Sequence, residues 1–71
     1  MDTAKAVTIT KYPIRLGQFL KLSDLVSDGL EAKFLITEGL ISVNGIIVFE
    51  RGKQLKKGDV ITYKETSFRC A

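Results

Sequence analysis

The chain has 71 residues, 45% hydrophobic and 27% charged, with a net charge of +3, no histidine and one cysteine, Cys70. This makes one small domain, which buries about 60% of the surface its unfolded form exposes and so has a thin stability margin. The cysteine and histidine counts exclude an intrachain disulfide, a Cys/His zinc site and a histidine-activated nucleophile. The modest positive charge favours an anionic partner without naming one.

The N-terminal stretch MDTAKAVTITKY lacks the long apolar core of a signal peptide, and no run approaches the length of a membrane span. A cytoplasmic protein without a membrane partner is the expectation. Residues 1–6 read as loose. Val7-Thr8-Ile9-Thr10 is a β-branched run that predicts an edge strand, ended by Lys11-Tyr12-Pro13 because proline cannot donate to a ladder. From Leu16 the period changes: Leu16, Phe19 and Leu20 stand at i, i+3, i+4, the apolar stripe of a short helix. Arg15, Gln18 and Lys21 recur at intervals of three on a neighbouring face. Ser23-Asp24 interrupts the helix, and Leu25-Val26 are available to plug the core between helices.

A second helix is predicted from Leu30 to Glu38. Asp28 and Glu31 have capping-box spacing, with Ser27 as an alternative cap, and Gly39 stands in the left-handed position after the C-terminus. At 100° per residue, Ala32, Leu35 and Ile36 share the core-facing arc, while Leu30 and Phe34 fall opposite. Either the N-terminal strand or first helix covers Phe34, or its ring stands exposed for base stacking or a partner contact. Leu40 to Val43 predicts a strand, and Asn44-Gly45 is the strongest short hairpin signal, a type I′ turn. Ile46-Ile47-Val48-Phe49 is apolar on both faces, so a strand covered on both sides is expected. Leu55 to Asp59 reads as a turn and Val60 to Tyr63 as a last strong strand. Lys64 to Ala71 either extends it or frays, and Cys70 reads as a fraying terminal residue. The order is α+β, with the helices on one side of a small antiparallel sheet.

Catalysis is not indicated. Asp28 and Glu31 are explained by capping and Asp59 by the turn before a strand. Gly39, Gly45, Gly52 and Gly58 each fall at an expected chain reversal and have no phosphate-loop spacing. No cofactor, metal or small-molecule substrate is implied. The basic residues are more informative. Arg15, Lys21 and Lys33 lie on or beside the helices, and Arg51, Lys53, Lys56 and Lys57 cluster after the hairpin. If the helices pack on the sheet, the two sets converge on a face that can track phosphates. Lysines on a small domain also serve simply as its solvated surface, and charge alone does not choose between the two readings.

Ile14 to Leu22, Asp28 to Lys33, Glu38-Gly39-Leu40-Ile41-Ser42-Val43-Asn44-Gly45, Arg51 to Leu55 and Gly58-Asp59-Val60-Ile61 resemble, in this order, the S4 RNA-binding domain. The likeness is to its small stand-alone bacterial form, the YaaA and YbcJ type, and spans residues 14–63. It implies the S4-like (alpha-L) fold, two short helices packed on a small, mostly antiparallel sheet. The domain would then be residues 1–71, with a core at about 14–63 and looser termini. It further implies binding of structured RNA, such as ribosomal RNA or tRNA, in a ribosome-associated setting. On that resemblance Arg15 opens the first helix, Lys33 lies inside the second, Asn44-Gly45 is the turn, and Arg51, Lys53 and Lys56 form the basic segment behind it. Gln18, Lys21 and Lys57 complete the candidate RNA-binding set. Two positions depart from the pattern, and both remove positive charge. Asp28-Gly29 stands where many S4 domains have Ser-Arg, and Glu50-Arg51 where two arginines are common. The alternative is a protein-interaction module of a ribosome-associated or nucleic-acid-processing complex, with Leu30 and Phe34 as its contact. Double-stranded DNA is disfavoured because neither helix is long and basic enough for a major groove.

Overall fold

A computed structural model describes residues 4–71. In chain order the elements are β1 (Lys5–Val7), β2 (Ile14–Arg15), α1 (Leu16–Leu22), α2 (Gly29–Thr37), β3 (Ile41–Val43), β4 (Ile46–Ile47), β5 (Gln54–Leu55), β6 (Val60–Tyr63) and β7 (Thr66–Cys70). The described residues form a five-stranded sheet in the order β1-β7-β6-β3-β4 and a two-stranded ladder of β2 with β5. Every pairing is antiparallel except β1 with β7. The class is α+β, with two helices against a mostly antiparallel sheet.

Both helices are too short to be stable alone, so they form because they bury a face. Leu16, Phe19 and Leu20 of α1 and Ala32 and Ile36 of α2 are fully buried, and Leu35 nearly so. Ile41, Val43, Ile61 and Phe68 meet them from the sheet, and the Phe19 and Phe68 rings pack edge-on with centroids 6.5 Å apart. The ends of α2 are closed as its spacing predicts. The Asp28 carboxylate accepts the Glu31 N–H at 2.8 Å, and the Glu31 carboxylate accepts the Ser27 N–H and hydroxyl. At the other end the Gly39 N–H reaches the Ile36 carbonyl and the Leu40 N–H the Leu35 carbonyl, with Gly39 at φ +75°. This is a Schellman closure. The Asn44-Gly45 turn has positive φ at both residues, 52° and 85°, as type I′ requires.

The structure corrects the termini. The N-terminal strand is Lys5–Val7 rather than Val7–Thr10, so residues 5 and 6 are ordered by pairing, while residues 1–3 of the segment read as loose lie outside the described residues. Lys64–Ala71 neither continues β6 nor frays. A two-residue turn at Lys64-Glu65 folds it back as β7, which lies between β6 and β1. Cys70 is fully buried, and Ile9 and Phe68 also join the core, which therefore reaches beyond residues 14–63 at both ends. Ala71 is held by its N–H to the Val7 carbonyl and by its carbonyl to the Ile9 N–H and the Tyr12 hydroxyl. Two corrections concern cover. Ile46–Phe49 is not sandwiched: Ile46, Ile47 and Phe49 stand exposed, because β4 is a sheet edge that no further strand of the described residues covers. Phe34 is exposed as well, since neither β1 nor α1 crosses the outer face of α2.

Candidate nucleic-acid interface

The first turn of a helix leaves backbone N–H groups without intrahelical partners. In α1 the segment after the hairpin supplies them. The Leu16 N–H donates to the Lys53 carbonyl at 2.8 Å and the Gly17 N–H to the Arg51 carbonyl at 3.1 Å. The Gln18 side-chain oxygen accepts the Arg15 N–H at 3.2 Å. The β2–β5 ladder, Arg15 opposite Gln54, continues the same attachment. This pins residues 51–55 against the start of α1.

The pinning brings Arg15 and Arg51 together although they are far apart in sequence. A Cβ at Gly17 would lie 3.8 Å from the aliphatic stem of Arg51, and one at Gly52 3.9 Å from an Arg15 guanidinium nitrogen. Around them opens a concavity of about 240 Å³ lined by Arg15, Gly17, Gln18, Lys21, Gly29, Ala32, Arg51 and Gly52. Among the described residues its lining carries cations and no carboxylate, and its small residues leave room between the arginines. Such a surface attracts anions and can fork a phosphate between guanidinium groups. Of the candidate residues, Arg15, Gln18, Lys21 and Arg51 therefore share one place. The small residues Gly17, Gly29, Gly52 and Ala32 were not foreseen. The only signal for them was the lack of bulk at positions flanking the arginines.

The remaining candidates lie elsewhere. Asn44, Lys53 and Lys56 line a second groove of about 680 Å³ on the hairpin side. Lys33 is exposed on α2 and Lys57 in the turn before β6, and neither lines either hollow. Asn44 is engaged in the fold at both ends of its amide: its nitrogen donates to Asp59 at 3.1 Å and its oxygen accepts the Val60 N–H at 2.9 Å. Asp59 also accepts the Lys56 N–H at 2.9 Å. Burial alone would raise the Asp59 pKa, but these two hydrogen bonds and the charges of Lys56 and Lys53 outweigh it and hold the carboxyl below its ordinary value. The Cys70 thiol is pushed up, first by burial and then by the Asp59 charge, which leaves it protonated and unreactive. Among the described residues no group of three or more His, Cys, Asp or Glu side chains could hold a metal ion, and no helix is long and apolar enough to cross a membrane.

Comparison with known proteins gives a consistent picture. A family model described as "S4 domain" matches residues 7–70. The chain is 40% identical over 58 residues to the probable ribosome maturation protein RlbA of Bacillus subtilis (strain 168), covering 82% of each protein. The solution structure of YbcJ from E. coli, described as revealing an alpha-L motif involved in RNA binding, superposes with a TM-score of 0.73 at 24% identity, over 100% of this chain and 91% of that one. The 30S ribosomal protein S4e of Thermoplasma acidophilum matches with a TM-score of 0.57 at 33% identity, over 76% of this chain and 27% of that one.

Proposed function

The chain belongs to the S4 domain family, and from that premise we propose that it is an RNA-binding module rather than an enzyme, with the arginine-lined concavity as the centre of its contact surface. The observation that carries this reading is the convergence of Arg15, Lys21 and Arg51 on one hollow lined by small residues and, among the described residues, by no carboxylate. Phosphate contacts there would supply affinity, and the shape of a folded RNA would supply selectivity. Lys33, Lys53, Lys56 and Lys57 would extend the positive surface around it. Asn44 would act by holding the hairpin rather than by touching RNA, because its amide is engaged within the fold.

The relative named as a probable ribosome maturation protein makes ribosomal RNA, in a precursor particle, the preferred target over tRNA, and a cytoplasmic location goes with it. Crosslinking in cells followed by sequencing of bound RNA tests this directly. Enrichment of ribosomal RNA is expected, and recovery of no RNA above background would sink the proposal. A second reading, a protein contact through α2, is favoured by the 80% exposure of Leu30 and 59% of Phe34. Phe34→Ala discriminates: loss of association with ribosomal particles at unchanged RNA affinity would support it.

A further inference from the structure

In the arginine-lined concavity the cations converge on one point instead of following a line. Its walls come from three segments: residues 15–21 around α1, the start of α2 at Gly29 and Ala32, and the turn at Arg51-Gly52. Among the described residues the charged side chains in its lining are Arg15, Lys21 and Arg51. Asp28 and Glu31, beside Gly29, are turned to the cap of α2 by hydrogen bonds to the N–H groups of residues 31 and 27. Glu50, beside Arg51, lines the hairpin-side groove, where it and Asp59 balance Lys53 and Lys56. The positive charge is unmatched within the concavity and matched in the groove.

The lining also bears on which phosphate fits. An interior phosphodiester carries a single charge, and its chain must leave the hollow on two sides. A terminal phosphate monoester carries roughly 1.5 to 2 charges at pH 7 and offers three acceptor oxygens, and its chain leaves on one side. Two guanidinium groups and an ammonium, in a hollow walled by three segments, match the monoester better. Among the described residues no aromatic ring lines the hollow, so a base finds nothing there to stack on. The Leu16 and Gly17 N–H groups are engaged with the Lys53 and Arg51 carbonyls, so side chains and not the start of α1 must hold the anion. The Gln18 oxygen accepts the Arg15 N–H, which leaves its amide NH2 as a neutral donor for the adjoining ribose.

We propose that the concavity takes the terminal phosphate monoester of an RNA chain end, held between Arg15, Arg51 and Lys21. This rests on the RNA-binding reading and sharpens it: the module recognises a cut, phosphorylated end, and other phosphates of the same RNA lie on the lysines outside the hollow.

The test uses the full chain and one internally labelled RNA hairpin with single-stranded tails, prepared with a 5′-phosphate, with a 3′-phosphate, or with hydroxyls at both ends. By fluorescence anisotropy one phosphorylated form should bind about tenfold more tightly than the hydroxyl form, the effect of one added charge-assisted hydrogen bond. Arg51→Gln with Lys21→Gln should bring that ratio close to one. Lys53→Gln with Lys56→Gln should weaken all three forms alike and keep the ratio. Gly52→Leu fills the hollow without removing a charge, since its Cβ would lie 3.9 Å from an Arg15 guanidinium nitrogen. With a native amide spectrum it too should abolish the ratio. Equal binding of all three forms overturns the proposal and leaves the RNA reading standing, whereas no binding of any form sinks both. A ratio that survives Arg51→Gln with Lys21→Gln places the end elsewhere and overturns the proposal. So does a nucleoside monophosphate that competes as well as the phosphorylated RNA, which would assign the hollow to a free phosphate monoester.

Discussion

Asn44 and Asp59 join the hairpin, the turn before β6 and β6 itself through three hydrogen bonds. Asn44→Gly separates two roles at one position. Glycine tolerates the φ of 52° at least as well as asparagine, so a loss of about 1–2 kcal/mol in urea unfolding would report the amide bonds alone. Asp59 predicts the acid response. Its folded pKa is depressed, so the stability it contributes is present above its unfolded pKa, about 3.9, and is lost as pH falls through the folded value. Unfolding midpoints measured down a pH series should fall below about pH 4 for this reason. Asp59→Asn should lose stability at neutral pH and show a shallower acid decline. An equally steep decline in the variant would assign the acid sensitivity to other carboxylates.

For the elements, α2 shows how local chemistry and tertiary contact share one position. Asp28→Ala should cost about 1 kcal/mol, the usual loss of a helix N-cap. Gly39→Ala should cost at least as much, about 1–2 kcal/mol from the left-handed backbone, with a further penalty. The new methyl would lie 3.2 Å from the Phe49 ring, closer than a comfortable contact. Comparing it with Gly39→Ala in a Phe49→Ala background by urea unfolding separates the two costs. Equal losses in both backgrounds would mean that the ring simply moves aside. Phe49 thus packs along the chain at Gly39 while staying 62% exposed, which is why a strand apolar on both faces can lie at an edge.

In the molecule as a whole, β7 lies between β1 and β6 and carries Phe68 and Cys70 into the core. Truncation after Glu65 removes an interior strand rather than a tail, and the shortened chain should show no cooperative thermal transition by circular dichroism. A sharp transition near that of the full chain would contradict the role given to β7. RNA affinity belongs to this scale too, because it sums charges from separate segments. With three to five phosphates neutralised, log K should fall with log salt at a slope of roughly −2 to −4, at about 0.7 to 0.9 per contact. Arg15→Ala with Arg51→Ala should flatten that slope by roughly 1 to 2, and Lys53→Ala with Lys56→Ala by less. The reverse order would move the contact surface to the hairpin groove.

Local signals are written into consecutive residues, and they were legible. The stripe of Leu16, Phe19 and Leu20, the Asp28 cap, the Gly39 stop and the Asn44-Gly45 turn depend on neighbours within one turn of chain, and motif order was enough to suggest the family. Cover and convergence depend on which distant segment arrives, and spacing does not encode that. The pattern of Ile46 to Phe49 is that of a buried strand, yet its place at the edge leaves it bare. Cys70 looks like a chain end, yet pairing with β1 and β6 buries it. Arg15 and Arg51 meet only because the first N–H groups of α1 need acceptors and the carbonyls of Arg51 and Lys53 supply them.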